Sequence, residues 1–160
     1  RRPGTVAVPL AVGLARALEL WQAELEARLA RWSALRGRLE AGLVEALGPG
    51  RVVRNGPADD ALRLPQTANL GFPGLDGDAL LMQLDLAGVA ASLGSACASG
   101  STRPSPTLVA MRVPDDRLRS SVRFSLGANT TEADIEAALP RIVAVVERIA
   151  QATDGAMPGR

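Results

Sequence analysis

Apolar and polar positions follow a helical spacing over the first third of the chain. Apolar side chains recur every three or four residues between Val8 and Leu47, with glutamate and arginine on the other faces. This spacing predicts one long helix with a single apolar stripe, in which Gly37 and Gly42 would allow a bend. The turn formers at residues 48–50 end the pattern.

The predicted helix is longer than a small domain can cover. We therefore expect its exposed part to pack on something absent from this sequence. Trp21 and Trp32 both lie on the apolar stripe. Both are interpreted as core side chains rather than as cofactor contacts.

Shorter alternating patterns follow the long helix. They predict strands near residues 51–54, 67–72, 89–92 and 120–126. In the last of these, Val122 and Phe124 point to one face of the sheet and Arg123 points to the other.

Three further helices are predicted from their start signals. Asp76 and Ser105 are expected N-cap residues. Thr131 and Asp134 form a pattern like a capping box ahead of the last helix, in which Pro140 is expected to cause a kink.

Together these elements predict an α+β protein. The expected sheet has three or four mostly antiparallel strands, with helices on one face. The predicted organisation is a lead-in and long linking helix over 1–48, a small α+β domain over 49–152 and a frayed tail over 153–160.

Composition narrows the classes of partner. The formal net charge is +1 and the charges are interspersed, so neither nucleic acid nor a membrane surface is an expected partner. The chain has no apolar run of membrane-spanning length and no signal-peptide pattern, which favours a soluble, cytoplasmic protein. Since it begins at Arg1 rather than methionine, we interpret it as an excerpt of a longer protein or as a processed product.

The residue types that the chain lacks limit the catalytic and metal-binding chemistry that it can carry out alone. The chain contains no histidine, tyrosine or lysine. Histidine bases, lysine Schiff bases and histidine-containing metal sites are therefore excluded within this chain alone, and no metal site is expected. The single cysteine, Cys97, also excludes an internal disulfide.

Cys97 lies among small residues. Its neighbours at 94–101 read GSACASGS, and no charged residue lies within five positions of it. A lone thiol in such a segment is either an inert structural residue or a mobile nucleophile.

Three motifs together carry a family resemblance. They are RPGT at residues 2–5, GSACASGS at 94–101 and SSVRFSLG at 120–127, the last followed by TTEADI at 130–135. In this order and spacing they resemble the cysteine desulfurases, which are pyridoxal-phosphate enzymes of the class V aminotransferase family. The resemblance implies the C-terminal small domain of a fold-type I transferase, with the large domain and its cofactor lysine lying before Arg1.

The resemblance also implies roles for three residues. Cys97 would be the thiol that takes sulfur from L-cysteine as a persulfide, with release of alanine. Arg123 would bind the substrate carboxylate, and Thr5 would reach the phosphate of pyridoxal phosphate in the partner subunit of a homodimer. A sulfur-acceptor or iron–sulfur scaffold protein would be a further partner, and this chain alone, without a lysine, is expected to be inactive.

Two departures from the family pattern are visible. The family often has serine at the position of Leu93 and glycine at the position of Arg112. The second change removes a helix-stop glycine and is expected to alter how the next turn closes.

Two alternatives stay open. The chain could be a catalytically incomplete module that dimerises, docks a partner or relays sulfur. It could also belong to another class V enzyme, such as a selenocysteine lyase.

Overall fold

The computed structural model describes residues 4–5, 7–93 and 104–155. Within these ranges the helices are α1 (Val8–Ala23), α2 (Leu25–Leu47), α3 (Gly77–Leu86), α4 (Pro106–Ala110), α5 (Asp115–Leu118) and α6 (Glu132–Gly155). The strands are β1 (Val53–Arg54), β2 (Thr67–Gly71), β3 (Ser92–Leu93) and β4 (Ser121–Ser125). A short 3₁₀ helix, Asp60–Leu62, lies between β1 and β2.

The four strands form one antiparallel sheet in the order β1-β2-β4-β3. This confirms the expected α+β architecture with a small antiparallel sheet. The third strand lies later than the predicted 89–92, because the backbone N–H of Val89 donates to the carbonyl of Leu84 and closes the end of α3. Gly88, at φ 74°, allows that turn.

The core lies between one face of the sheet and the helices α2, α3 and α6. Apolar residues on β2 and β4 pack against apolar side chains of these helices in a single cluster. The cluster includes Ala68, Leu70, Val122 and Phe124 from the sheet, and Leu39, Leu43, Leu80, Leu84, Ile142 and Val146 from the helices. The predicted alternation in β4 thus buries the side that it was expected to bury.

The long helical pattern breaks at Glu24, not at Gly37 or Gly42. Glu24 has φ −112° and ψ 4°, and its N–H donates to the carbonyl of Trp21. Gly42 serves packing instead, because a Cβ at that position would lie 2.8 Å from a δ-carbon of Leu139 on α6. α2 runs through both glycines as one helix.

The apolar stripe is covered only in its second half. Trp32 on α2 is 5% exposed, whereas α1 has no buried residue and Trp21 is 39% exposed. The interpretation of Trp21 as a core side chain is therefore wrong within the described residues. The two indole rings instead lie 5.6 Å apart between centroids, with the Arg28 guanidinium beside the Trp21 ring.

The residues predicted to cap the starts of helices do so, with one exception. Asp76 accepts from the N–H of Ala79, and Thr131 and Asp134 exchange hydrogen bonds ahead of α6. Ser105 occupies the N-cap position of α4, but its side chain makes no capping hydrogen bond there. α6 is one helix across Pro140 and continues to Gly155, three residues into the predicted tail.

Candidate functional site

The face of the sheet opposite the core carries a line of polar side chains. Asn69 on β2 is the register partner of Arg123 on β4, and Arg123 is the partner of Ser92 on β3. Asn55, directly after β1, donates its backbone N–H to the carbonyl of Asn69. These four residues, Asn55, Asn69, Arg123 and Ser92, form what we call the polar row.

Arg123 is held in the middle of this sheet. Strands pair with β4 on both sides of it, and its side chain is half-buried. Among residues 4–5, 7–93 and 104–155, no hydrogen bond or ion pair joins its guanidinium to another side chain or carbonyl. An arginine fixed in this way presents a planar fork of donors suited to a carboxylate or phosphate.

A hydrogen-bonded network lies at the β1 end of the polar row. Arg117 Nε on α5 donates to Asn55 Oδ1 at 3.1 Å. Asn55 Nδ2 donates to Asn69 Oδ1 and to Ser121 Oγ, each at 2.8 Å. Ser121 Oγ donates in turn to the backbone carbonyl of Arg117 at 2.7 Å. The network satisfies the buried side chains of Asn55 and Ser121.

Gly71 on β2 makes room for this network. A Cβ on Gly71 would lie 2.8 Å from Cδ and 2.9 Å from Cβ of Arg117. The prediction from sequence missed both α5 and Arg117. The signal that could have found them is Gly71 itself, because an isolated glycine inside a strand often marks the close approach of another segment.

A separate cluster of charged side chains lies on the other side of β1, between α2 and the segment that follows β1. Arg36 is 2% exposed and pairs with Asp60 at 3.0 Å, while Arg63 pairs with Glu40. The hydrogen bond from Arg63, aided by the charges of Arg36, Arg54 and Arg63, holds the pKa of Asp60 below its usual value. Because these charges pair with one another and join α2 to the segment after β1, we interpret the cluster as structural.

The three residues singled out by the family resemblance lie in different parts of the chain. Arg123 lies in the polar row as described. Thr5 is exposed ahead of α1, and its side chain makes no hydrogen bond with another described residue. Cys97 lies outside the described residues; the described chain ends before it at Leu93, the register partner of Val122, and resumes at Pro104.

Across the helices that the structure describes, none combines the length and apolarity needed to cross a bilayer. The described residues also contain no group of three acidic or other metal-ligating side chains that could hold an ion.

Comparison with known proteins places the chain in a family. The family model "Aminotransferase class-V" matches residues 1–138. A cysteine desulfurase of Gluconacetobacter diazotrophicus is 42% identical over 159 residues, covering 98% of this chain and 39% of that protein. An IscS-like cysteine desulfurase of Mycobacterium tuberculosis is 44% identical over 158 residues, covering 97% of this chain and 39% of that protein.

Solved structures show the same relation. A NifS-like protein from Rickettsia africae superposes with a TM-score of 0.73 at 27% identity, covering 91% of this chain and 36% of that one. The chain therefore spans somewhat more than a third of the length of the relatives that it matches. With the family model matching most of its length, this chain belongs to the class V aminotransferase family, and it is similar to cysteine desulfurases over somewhat more than a third of their length.

Proposed function

We propose that this chain is the C-terminal part of a cysteine desulfurase. The complete enzyme would move sulfur from L-cysteine to Cys97 as a persulfide and release alanine. The sulfur would pass on to an acceptor or scaffold protein for iron–sulfur cluster assembly or thiolation. Support comes from the desulfurase names of relatives at 42% and 44% identity and from the geometry around Arg123. Because the chain spans about two fifths of those relatives, the remaining machinery would belong to a longer protein.

The arrangement of Arg123 is the observation that carries the proposal. Its guanidinium lies on the polar face of the sheet without a protein carboxylate to pair with among the described residues. A guanidinium can bind a carboxylate through two parallel hydrogen bonds, which fixes both the position and the rotation of an amino acid. Arg123 would thereby orient L-cysteine for attack on its sulfur.

Cys97 would reach this substrate from the neighbouring strand. Leu93 pairs with Val122, next to Arg123 in β4. The four residues from Leu93 to Cys97 can span at most about 14 Å when extended, which bounds how far the thiol can travel from that end of β3. This reach is compatible with a thiol that meets a substrate bound at Arg123.

Sulfur transfer needs Cys97 as a thiolate. Its Sγ would form a bond to the substrate sulfur while the bond between that sulfur and the substrate Cβ breaks. Bound pyridoxal phosphate supplies the electron sink for this chemistry. The net change converts L-cysteine and the Cys97 thiol into alanine and the Cys97 persulfide, which balances without an oxidant. Since no charge lies within five positions of Cys97, groups elsewhere must favour its ionisation.

The residues of this chain fit a limited part of the cofactor site. Without a lysine, the chain cannot supply the covalent attachment of pyridoxal phosphate. Thr5 has an exposed hydroxyl and follows Gly4, which has a φ of 130° and open space around it. A hydroxyl beside an accessible glycine backbone suits a phosphate group. Thr5 would hold that phosphate in the partner subunit of a homodimer.

The proposal is tested by Cys97→Ser in the full natural protein. We expect the variant to keep the absorbance of bound cofactor but to lose persulfide formation and alanine release. The matched control, Ser99→Ala in the same segment, should retain both activities. Alanine release that survives Cys97→Ser would contradict the role assigned to Cys97.

A docking module is the second candidate. It is favoured by α1, in which Leu10 is 76% and Leu14 is 63% exposed. A full natural protein that releases alanine from neither L-cysteine nor L-selenocysteine would support this reading. Release from L-selenocysteine alone would identify a selenocysteine lyase instead.

A further inference from the structure

We propose that Asn69 donates its side-chain N–H groups to the same substrate carboxylate that Arg123 binds. Arg117, acting through Asn55, would hold the Asn69 amide in the orientation that allows this. The inference rests on the proposed function, because it takes Arg123 as the site of the amino-acid carboxylate. It assigns Asn69 a share in recognising that carboxylate and makes Arg117 a positioning residue.

The direction of the network follows from Arg117. A guanidinium can only donate hydrogen bonds. The atom of Asn55 that faces Arg117 Nε at 3.1 Å is therefore its oxygen, Oδ1. Asn55 Nδ2 must then face the other way, where it meets Asn69 Oδ1 and Ser121 Oγ.

The same logic orients Asn69. Its Oδ1 accepts from Asn55 at 2.8 Å, on the side of the row that faces β1. Its Nδ2 is therefore directed away from Asn55. Asn69 lies between Asn55 and Arg123 in the polar row, and we infer that its N–H groups turn toward β4, which carries Arg123. No acceptor among the described residues takes a hydrogen bond from Asn69 Nδ2.

The N–H groups of Asn69 Nδ2 and those of the Arg123 guanidinium, all of them donors, therefore stand side by side. Register partners in an antiparallel pair have Cβ atoms about 5 Å apart, so the Asn69 amide and the Arg123 guanidinium can reach one ligand. A cation would be repelled there. A carboxylate offers two acceptor oxygens and a negative charge, so it can accept hydrogen bonds from both side chains at once.

The test compares ligands with and without a carboxylate. In the full natural protein, the dissociation constants of L-alanine and of L-alaninamide are measured by calorimetry for wild type and variants. Asn69→Ala should weaken L-alanine binding about tenfold, as expected for the loss of a hydrogen bond to a charged group. Binding of L-alaninamide, whose neutral amide oxygen replaces the charged carboxylate, should weaken much less. Asn69→Asp keeps the side-chain shape, should weaken L-alanine binding at least as much, and serves if Asn69→Ala fails to fold.

Two further variants separate positioning from structure. Arg117→Met keeps the apolar stem over Gly71 but removes the donor, so the Asn55 amide is no longer fixed. This variant should weaken L-alanine binding less than Asn69→Ala does, and should weaken L-alaninamide binding less again. Ser125→Ala, an exposed substitution on the same face of β4, should change neither constant.

Arg123→Ala separates a failure of the role proposed for Asn69 from a failure of the proposed function. If it weakens L-alanine binding while Asn69→Ala does not, the role of Asn69 is refuted and the proposed function stands. If Asn69→Ala weakens both ligands equally, Asn69 is merely structural and the inference is again refuted. If wild type shows no preference for L-alanine over L-alaninamide, or Arg123→Ala changes nothing, both the inference and the carboxylate role of Arg123 fail.

Discussion

Gly77→Ala is expected to be among the most damaging single-methyl changes in the described part of the chain. Gly77 is the first residue of α3, and it is buried against the segment that leads into β4. A Cβ at Gly77 would lie 2.0 Å from the carbonyl oxygen of Arg119. The φ of Gly77 is not positive, so the constraint is the space for a Cβ rather than the backbone conformation.

The magnitude follows from what must move. Overpacking costs about 1–3 kcal/mol when side chains can shift. Here the obstructing atom is backbone, two residues before β4, so we expect the free energy of unfolding to fall by about 3 kcal/mol or more. Gly37 in α2 offers the matched control, since a Cβ there meets nothing within 4 Å. Gly37→Ala should stabilise the protein by about 0.5–1 kcal/mol through helix propensity.

Gly42→Ala should fall between these two. Its Cβ would meet only the terminal methyl groups of Leu139, at 2.8 and 2.9 Å, and those can rotate. Urea unfolding followed by tryptophan fluorescence gives the three values from midpoints and slopes. The reasoning would be refuted if Gly77→Ala were neutral, or if Gly37→Ala destabilised as much as Gly42→Ala.

Two smaller effects concern the ends of helices. Arg112 follows α4 with φ 56°, a left-handed backbone conformation that is unfavourable for a residue with a Cβ. Arg112→Gly should therefore raise the free energy of unfolding by about 0.5–1 kcal/mol. A loss of stability would contradict this. Hydrogen bonds from the backbone and then the hydroxyl of Thr131 lower the pKa of Asp134 from its usual 3.8. This carboxylate therefore stabilises α6 fully above that pH, and the contribution is lost as the pH falls through the lowered pKa. In Asp134→Asn the melting temperature should depend less on pH below 3.8 than in wild type, and an unchanged dependence would exclude the assignment.

Local chemistry made much of the fold predictable. The alternation in β4 is visible in sequence because one face meets an apolar core and the other does not. The starts of α3 and α6 were predictable because Asp76 and the Thr131–Asp134 pair bind backbone N–H groups within three residues. The departure at Arg112 was also informative, because the structure places this residue in the left-handed region that favours glycine.

Features that depend on distant contacts were not predictable. Gly42 is typical of a bend by propensity, but its role is set by Leu139, which is nearly a hundred positions away in sequence and packs onto it. Trp21 fits the apolar stripe as well as Trp32 does, yet only Trp32 meets the core. In the candidate site, Arg123 was predicted from its motif. Asn69 and Arg117 are placed beside it by pairing between strands and by the short helix α5, and neither placement leaves a periodic pattern in the sequence.

The most direct test of the central claim is the mass of the peptide that contains Cys97. The full natural protein is incubated with L-cysteine, trapped with an alkylating reagent and digested for mass spectrometry. The account predicts that this peptide gains the mass of one sulfur atom in step with alanine release, and that Arg123→Ala slows both at low L-cysteine concentration. Alanine release without added sulfur on Cys97 would contradict the account.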